Sequence, residues 1–174
     1  MIENFKYLSI FKFFLFFFIF CSCENKIQAD FPIADWSDVD YSGNNHISQK
    51  MDIYLPKNNN EKYPAVIVIY GSGWTSNNKK LSNYQKKVFV KPLSEKGFAT
   101  ISMNHRSSNL DSVYPAQIHD VKAVIRFLRA KHKDYNLDIS FIGIAGYSSG
   151  GHLAALAGTS SNNPLVEGNV GNYL

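Results

Sequence analysis

The chain has 174 residues, 45% of them hydrophobic, with 18 Lys and Arg against 14 Asp and Glu for a formal net charge of +4. That length sets one domain as the expectation, and the apolar content is that of a globular protein with a sizeable core. The charge excess is mild and no run of Lys or Arg forms a stripe, so nucleic acid is excluded as a partner; Lys79-Lys80 and Lys86-Lys87 read as solvated faces.

Residues 1–23 differ from the rest. Lys6 and Lys12 precede an apolar core, Phe13 to Phe20, which is the plan of an export signal. A bilayer span takes about 20 apolar residues, so this segment is too short for a permanent transmembrane helix. Cys21-Ser22-Cys23 follows and resembles the bacterial lipoprotein signal, in which the cysteine becomes the lipidated first residue. The expectation is an exported protein held at a membrane surface by acyl chains on Cys23; ordinary cleavage to a periplasmic or secreted form is the alternative. Both cysteines lie here, so the remaining chain has no disulfide, thiol nucleophile or cysteine metal site. Residues 24–35 are polar and read as a tether, and 36–174 as the domain.

Strand signals begin near Trp36. Ile47, Met51, Ile53 and Leu55 alternate with polar residues, as a half-buried strand of an edge hairpin should. Pro56 and the Lys57 to Lys62 stretch make a solvated turn. Ala65-Val66-Ile67-Val68-Ile69 is continuously apolar and β-branched, the mark of a strand covered on both faces. It runs into Tyr70-Gly71-Ser72-Gly73-Trp74, where small residues let backbone N–H groups turn toward a ligand. An oxyanion loop and a plain glycine turn capped by a packed tryptophan fit that segment equally well. Leu81 to Lys96 is helix-like, with Pro92 kinking or dividing it and Gly97 as its stop. Phe98 to Met103 is another buried strand, and Asn104 to Ser108 a polar loop. Tyr114-Pro115 leads into a helix with Ile118, Val121, Val124, Ile125 and Leu128 on one face. This alternation predicts an α/β fold with a mostly parallel sheet and right-handed crossovers.

Ile139 to Ala145 is a further apolar strand. Gly146-Tyr147-Ser148-Ser149-Gly150 follows and fits G-x-S-x-G, and an Ala/Leu-rich helix runs on through Leu156. Strand, sharp turn and helix form the context of a nucleophile elbow, with Ser148 exposed above the carboxyl end of the sheet. Gly146 and Gly150 remove side chains that would collide in so tight a turn. The helix amino end offers free N–H groups to an anion.

Together, Met51 to Pro56, Tyr70 to Trp74, Tyr114 to Asp120, Ile125 to Arg129 and Gly146 to Leu156 resemble the α/β-hydrolase fold. More closely, they resemble exported bacterial esterases of the feruloyl and acetyl-xylan type, relatives of the hormone-sensitive-lipase group. The resemblance implies a three-layer sandwich and a serine carboxylesterase needing no cofactor. Ser148 would be its nucleophile and the N–H groups of Ser72, Gly73 and Ser149 its oxyanion donors, with acylated plant polysaccharides as the substrate class. Tyr70 and Ser72 depart from the family's His-Gly-Gly-Gly-Trp loop. In this fold the triad runs serine, acid, histidine. After Ser148 the chain has Glu167 but no histidine beyond His152, so the expectation is a domain incomplete at its C-terminus, with acid and base beyond Leu174. His152 reads as a structural companion of the elbow, His105 and His119 as loop or helix-surface residues, His46 and His132 as exposed. Asp120 reads as the partner of a base or a loop cap. No constellation has metal-ligand spacing. Two rival readings remain: a peptidase of the prolyl-oligopeptidase kind, and a non-catalytic lipid-anchored domain.

Overall fold

The computed structural model describes residues 31–58, 60–75, 80–109 and 113–174. The expected export signal, Cys23 and most of the expected tether lie outside these residues. Strand β3 (Tyr63–Ile69) is an interior strand, the fourth in a five-stranded sheet of order β1-β2-β4-β3-β5. It runs parallel to β4 (Ala99–Met103) on one side and to β5 (Leu137–Gly146) on the other. β2 (Lys50–Tyr54) joins β4 antiparallel, and β1 (Trp36–Asp40) closes that side as the expected hairpin with β2. The sheet is therefore mixed, three parallel strands carrying an antiparallel edge.

Successive residues of β3 feed two different cores, as the period of two requires. Ala65, Ile67 and Ile69 join one cluster with Ile118, Val121, Val124 and Leu128 of α3 (Ala116–Lys131) and Leu153 of α4 (Ser149–Thr159). Val66, Val68 and Tyr70 join the other, with Leu81, Phe89, Val90 and Leu93. Helices thus cover both faces, giving three layers. The second cluster is closed by a π turn over Lys86–Val90 and by α2 (Lys91–Glu95), which continue the short α1 (Asn83–Gln85). Pro92 was expected to kink or divide this helix; the chain instead stays helical and widens just before it, with the Lys91 N–H donating to the Lys86 carbonyl. A wider turn accommodates a ring that would clash with the carbonyl four residues back.

Two strands depart from expectation. β2 was read as half-buried, yet Met51 to Tyr54 are all buried. Tyr54 belongs to the second core, and the Asp52 carboxylate is held by the Lys80 ammonium, so both faces are occupied. Ile47 lies outside the strand and is exposed. β5 was read as an apolar strand from Ile139 onward, but Ile139, Ser140 and Phe141 are exposed. The register explains it: Pro64 pairs with Asp138 and the next residue, Ala65, with Ile142, so Ile139 to Phe141 bulge out of the ladder. Among the described residues β5 is also the far edge of the sheet.

Both ends of the described domain are pinned. The Asp35 N–H donates to the Ile53 carbonyl (2.9 Å), and its carboxylate accepts from the Leu55 N–H (2.7 Å) and Lys57 (2.7 Å). At the other end α5 (Pro164–Glu167) and the residues after it are held by α3. The Arg126 guanidinium donates to the carbonyls of Glu167 (2.9 Å), Val170 (3.0 Å) and Tyr173 (2.7 Å), and Lys122 pairs with the Glu167 carboxylate at 2.8 Å. No helix among the described residues is long and apolar enough to cross a membrane.

Candidate active site

Ser148 is exposed between the end of β5 and the start of α4, with φ +52° and ψ −129°. A non-glycine residue rarely occupies this region, and such strain persists only where the surroundings impose it. The surroundings here are backbone. A Cβ on Gly146 would lie 2.8 Å from the Ile69 carbonyl oxygen, and one on Gly150 would lie 2.6 Å from the Tyr70 carbonyl oxygen. The elbow is therefore pressed against the end of β3, which only glycine permits at both positions. The Gly150 N–H donates to the Tyr147 carbonyl and the His152 N–H to the Ser148 carbonyl, each at 3.0 Å, closing the turn into the helix.

The loop after β3 reaches the same point. A Cβ on Gly71 would sit 2.7 Å from the Ser148 Cβ and 2.7 Å from the Tyr147 carbonyl oxygen, so Gly71 is the close approach between loop and elbow. The sequence reading placed donors at Ser72 and Gly73 but gave Gly71 no role; the collision depends on a residue 77 positions away, which no local pattern records. Beyond it, Gly73 (φ +61°) and Trp74 (φ +62°) turn the chain back. The Ser72 N–H donates to the Ser149 Oγ at 2.9 Å. Of the three expected donors, Ser72 and Ser149 are thus brought together, with Gly73 adjoining, while the Ser72 N–H itself is engaged by the Ser149 side chain.

A second tier holds this loop. Tyr70 reaches out of its own loop, its hydroxyl donating to the Asn104 Oδ1 at 3.3 Å, and its ring stacks on His105 with centroids 5.8 Å apart. The Ser107 hydroxyl donates to the Thr75 carbonyl (2.7 Å), and the Ser108 N–H to the Trp74 carbonyl (2.8 Å). The 104–109 loop is in turn fixed by Asp120, which is fully buried. Its carboxylate accepts from the Arg106 backbone N–H (2.7 Å), the Arg106 guanidinium (2.9 Å) and Gln49 (2.7 Å). Asp120 is thus a loop cap, as read.

The histidines separate cleanly. His152 is exposed and packs edge-on against Trp74 at 5.5 Å, as a companion of the elbow. His119 shares a hydrogen bond with the Leu165 carbonyl (3.0 Å), and His132 with the Arg129 carbonyl (2.9 Å). His46 accepts from the Ser48 N–H. His105 was expected at a loop surface but is wholly buried; burial pushes its pKa down, opposed by its hydrogen bond to the Arg106 carbonyl and by the Asp120 charge. None of these rings bonds the Ser148 hydroxyl among the described residues. Glu167 is engaged by Lys122 and Arg126. Among the described residues no group of His, Cys, Asp and Glu has the makings of a metal site. Beside the elbow a groove of about 340 Å³ is lined by Tyr84, Val88, Phe89 and Tyr147, offering apolar and aromatic surface next to the nucleophile position.

Comparison with known proteins bears on the family and the fold. Residues 51–174 match the BD-FAE family model. The chain is 38% identical over 104 residues to Esterase LipQ of Mycobacterium tuberculosis, covering 60% of this chain and 24% of that protein. Among solved structures, a bifunctional GH43-CE protein of Bacteroides eggerthii superposes with a TM-score of 0.75 at 50% identity, over 79% of this chain and 19% of that one. A truncated carbohydrate esterase from gut microbiota superposes with a TM-score of 0.74 at 45% identity, over 83% of this chain and 53% of that one. The chain therefore spans about a quarter of the curated relative and about half or less of these structures.

Proposed function

The chain belongs to the BD-FAE family and has an α/β-hydrolase fold, and on that premise we propose that it is the nucleophile-bearing part of a serine carboxylic-ester hydrolase. The observation that carries the reading is Ser148 itself: exposed, held at φ +52° by glycine-only contacts, and beside a loop whose Ser72 N–H reaches the first residue of the elbow helix. In this reading the Ser148 Oγ attacks the ester carbonyl and its proton passes to a histidine. That histidine follows the serine and an acid in the chain order of the fold, within further sequence of the domain. The carbonyl oxygen takes up the negative charge facing the N–H groups of Ser149 and Gly73, while the Ser72 N–H stays engaged by the Ser149 side chain. Collapse expels the alcohol, which takes the histidine's proton, and water releases the acid by the same steps in reverse. The similarity to a carbohydrate esterase supports acylated polysaccharides as substrate.

The test is covalent labelling of the full-length protein by a fluorophosphonate, with turnover of an acetylated xylan. Wild type should label and Ser148→Ala should not, with turnover falling by about 10⁶ and leaving only the residual catalysis of the site without its nucleophile. Labelling that persists in the alanine variant would remove Ser148 from the mechanism. We further propose export and lipidation at Cys23, on the plan of residues 1–23. Cys23→Ala should move the protein from the membrane fraction to the soluble exported fraction, and an unchanged distribution would count against the anchor.

A further inference from the structure

We propose that the Ser149 side chain is a positioning residue that latches the oxyanion loop to the elbow, a role that rests on the hydrolase reading above. Any residue at position 149 supplies a backbone N–H at the start of α4. Only a side chain with an acceptor can also take the N–H of Ser72, and the Ser149 Oγ does so at 2.9 Å. Ser149 is buried although its neighbour Ser148 is exposed. The acceptor side of this part-buried bond is therefore shielded from competing water, where a hydrogen bond holds geometry best.

The latch acts through peptide planarity. The Ser72 carbonyl is held on its other side by the Thr75 N–H (3.2 Å) and the Thr75 hydroxyl (3.0 Å). In a trans peptide the N–H points opposite to the carbonyl of the same plane. Fixing the Ser72 carbonyl toward Thr75 thus aims the Gly73 N–H away from Thr75, and fixing the Ser72 N–H on Ser149 sets the plane before it. Two successive peptides are locked, and the second carries an expected oxyanion donor. Gly73 and Trp74 both have positive φ, so this is a turn with more than one accessible peptide orientation, and Gly73 adds no side chain to resist a flip. The Ser72 hydroxyl is buried and has no hydrogen-bond partner among the described residues; the backbone bond to Ser149 is what holds the loop there.

The test compares wild type, Ser149→Ala and Ser149→Thr in the full-length protein. Removing an oxyanion donor outright costs about 10²–10³ in kcat. Loosening one through the latch should lower kcat in Ser149→Ala by about tenfold or more, with KM within about twofold. Affinity for a boronic acid, which presents the tetrahedral oxyanion geometry, should fall in step with kcat, and threonine, which keeps the acceptor, should restore both. Amide exchange at Ser72 is followed on the same samples: protected in wild type, exposed in the alanine variant, protected again with threonine. A kcat within twofold of wild type in Ser149→Ala, or a loss confined to KM, overturns the proposal. So does an unprotected Ser72 amide in wild type, which decides the matter whether or not the variants fold. A Ser148→Ala enzyme that still labels sinks the hydrolase reading alone, and leaves the exchange result to judge the latch.

Discussion

Two segments meet at Ser148 and are held there by different means. The elbow, Gly146 to Gly150, is fixed by what is missing. Its glycines let it lie against the Ile69 and Tyr70 carbonyls, and the strain at Ser148 follows from that contact. The loop after β3, Tyr70 to Thr75, is fixed by what is added: the bond to Ser149, the stack on His105, and the hydroxyls of Ser107 and Ser108 backed by Arg106 and Asp120. Steric exclusion by backbone cannot be relaxed by a rotamer change, whereas a hydrogen-bonded scaffold loses its parts one at a time. The elbow should therefore fail all at once and the loop by degrees.

The largest effect is expected at Gly150. The atoms facing an added Cβ are main-chain carbonyls at the end of β3, which have no room to move. Gly150→Ala should cost more than about 3 kcal/mol, at or beyond the top of the usual range for overpacking, read as a drop in the urea midpoint. A loss under about 1 kcal/mol would mean the elbow repacks as freely as a side-chain contact, and the contrast drawn above would fail. A smaller effect is expected at Arg106. Removing one partner of a buried ion pair costs roughly 3–5 kcal/mol, and a guanidinium that is 24% exposed should cost somewhat less, about 2–3. Arg106→Ala should also lower kcat in the full-length protein through the loop, while leaving the elbow's own amide protection intact. Exchange that rises equally in both segments would show that they are one unit.

The same contrast explains what the sequence disclosed. The elbow and the central strands are written locally: apolar run, glycine, serine, glycine, small-residue helix. Their steric logic needs only neighbours in the chain and a strand to lie against. The support of the loop after β3 is written between residues that lie 32, 34 and 77 positions apart. Ser107 and Ser108 read alone as polar loop residues, and Gly71 as one more turn glycine. The exposure of Ile139 to Phe141 was hidden for a related reason. Composition identifies a β-strand, but the three-residue slip against Pro64 belongs to the pairing, not to β5 itself. His105 was misplaced because a polar sequence, Asn104 to Ser108, says nothing of being folded beneath a stacked tyrosine.

His105 offers the smallest and most selective way to loosen the loop. Its Nδ1 lies 2.8 Å from the Arg106 carbonyl, so that nitrogen carries the proton, and its Nε2 is buried without a partner among the described residues. Protonating Nε2 would place a charge in a site with no acceptor for it, and burial accordingly holds the pKa below its ordinary 6.5. In the unfolded chain the ring titrates near 6.5. Between that value and the lower folded value the unfolded state binds more protons, so stability is complete above 6.5 and is lost as pH falls through the folded pKa. One proton limits the slope to about 1.4 kcal/mol per pH unit. Carboxylates held below the usual range, such as Asp40, act at lower pH and leave this window to the imidazole. The urea midpoint of the wild-type protein should therefore decline as pH falls below 6.5, and that of His105→Gln, which has no proton to gain, should decline less. If the loop depends on the Tyr70–His105 stack, kcat should fall over the same interval in wild type with a flatter profile in the glutamine variant. Parallel decline of both midpoints would assign the titration elsewhere and leave the stack a packing contact only.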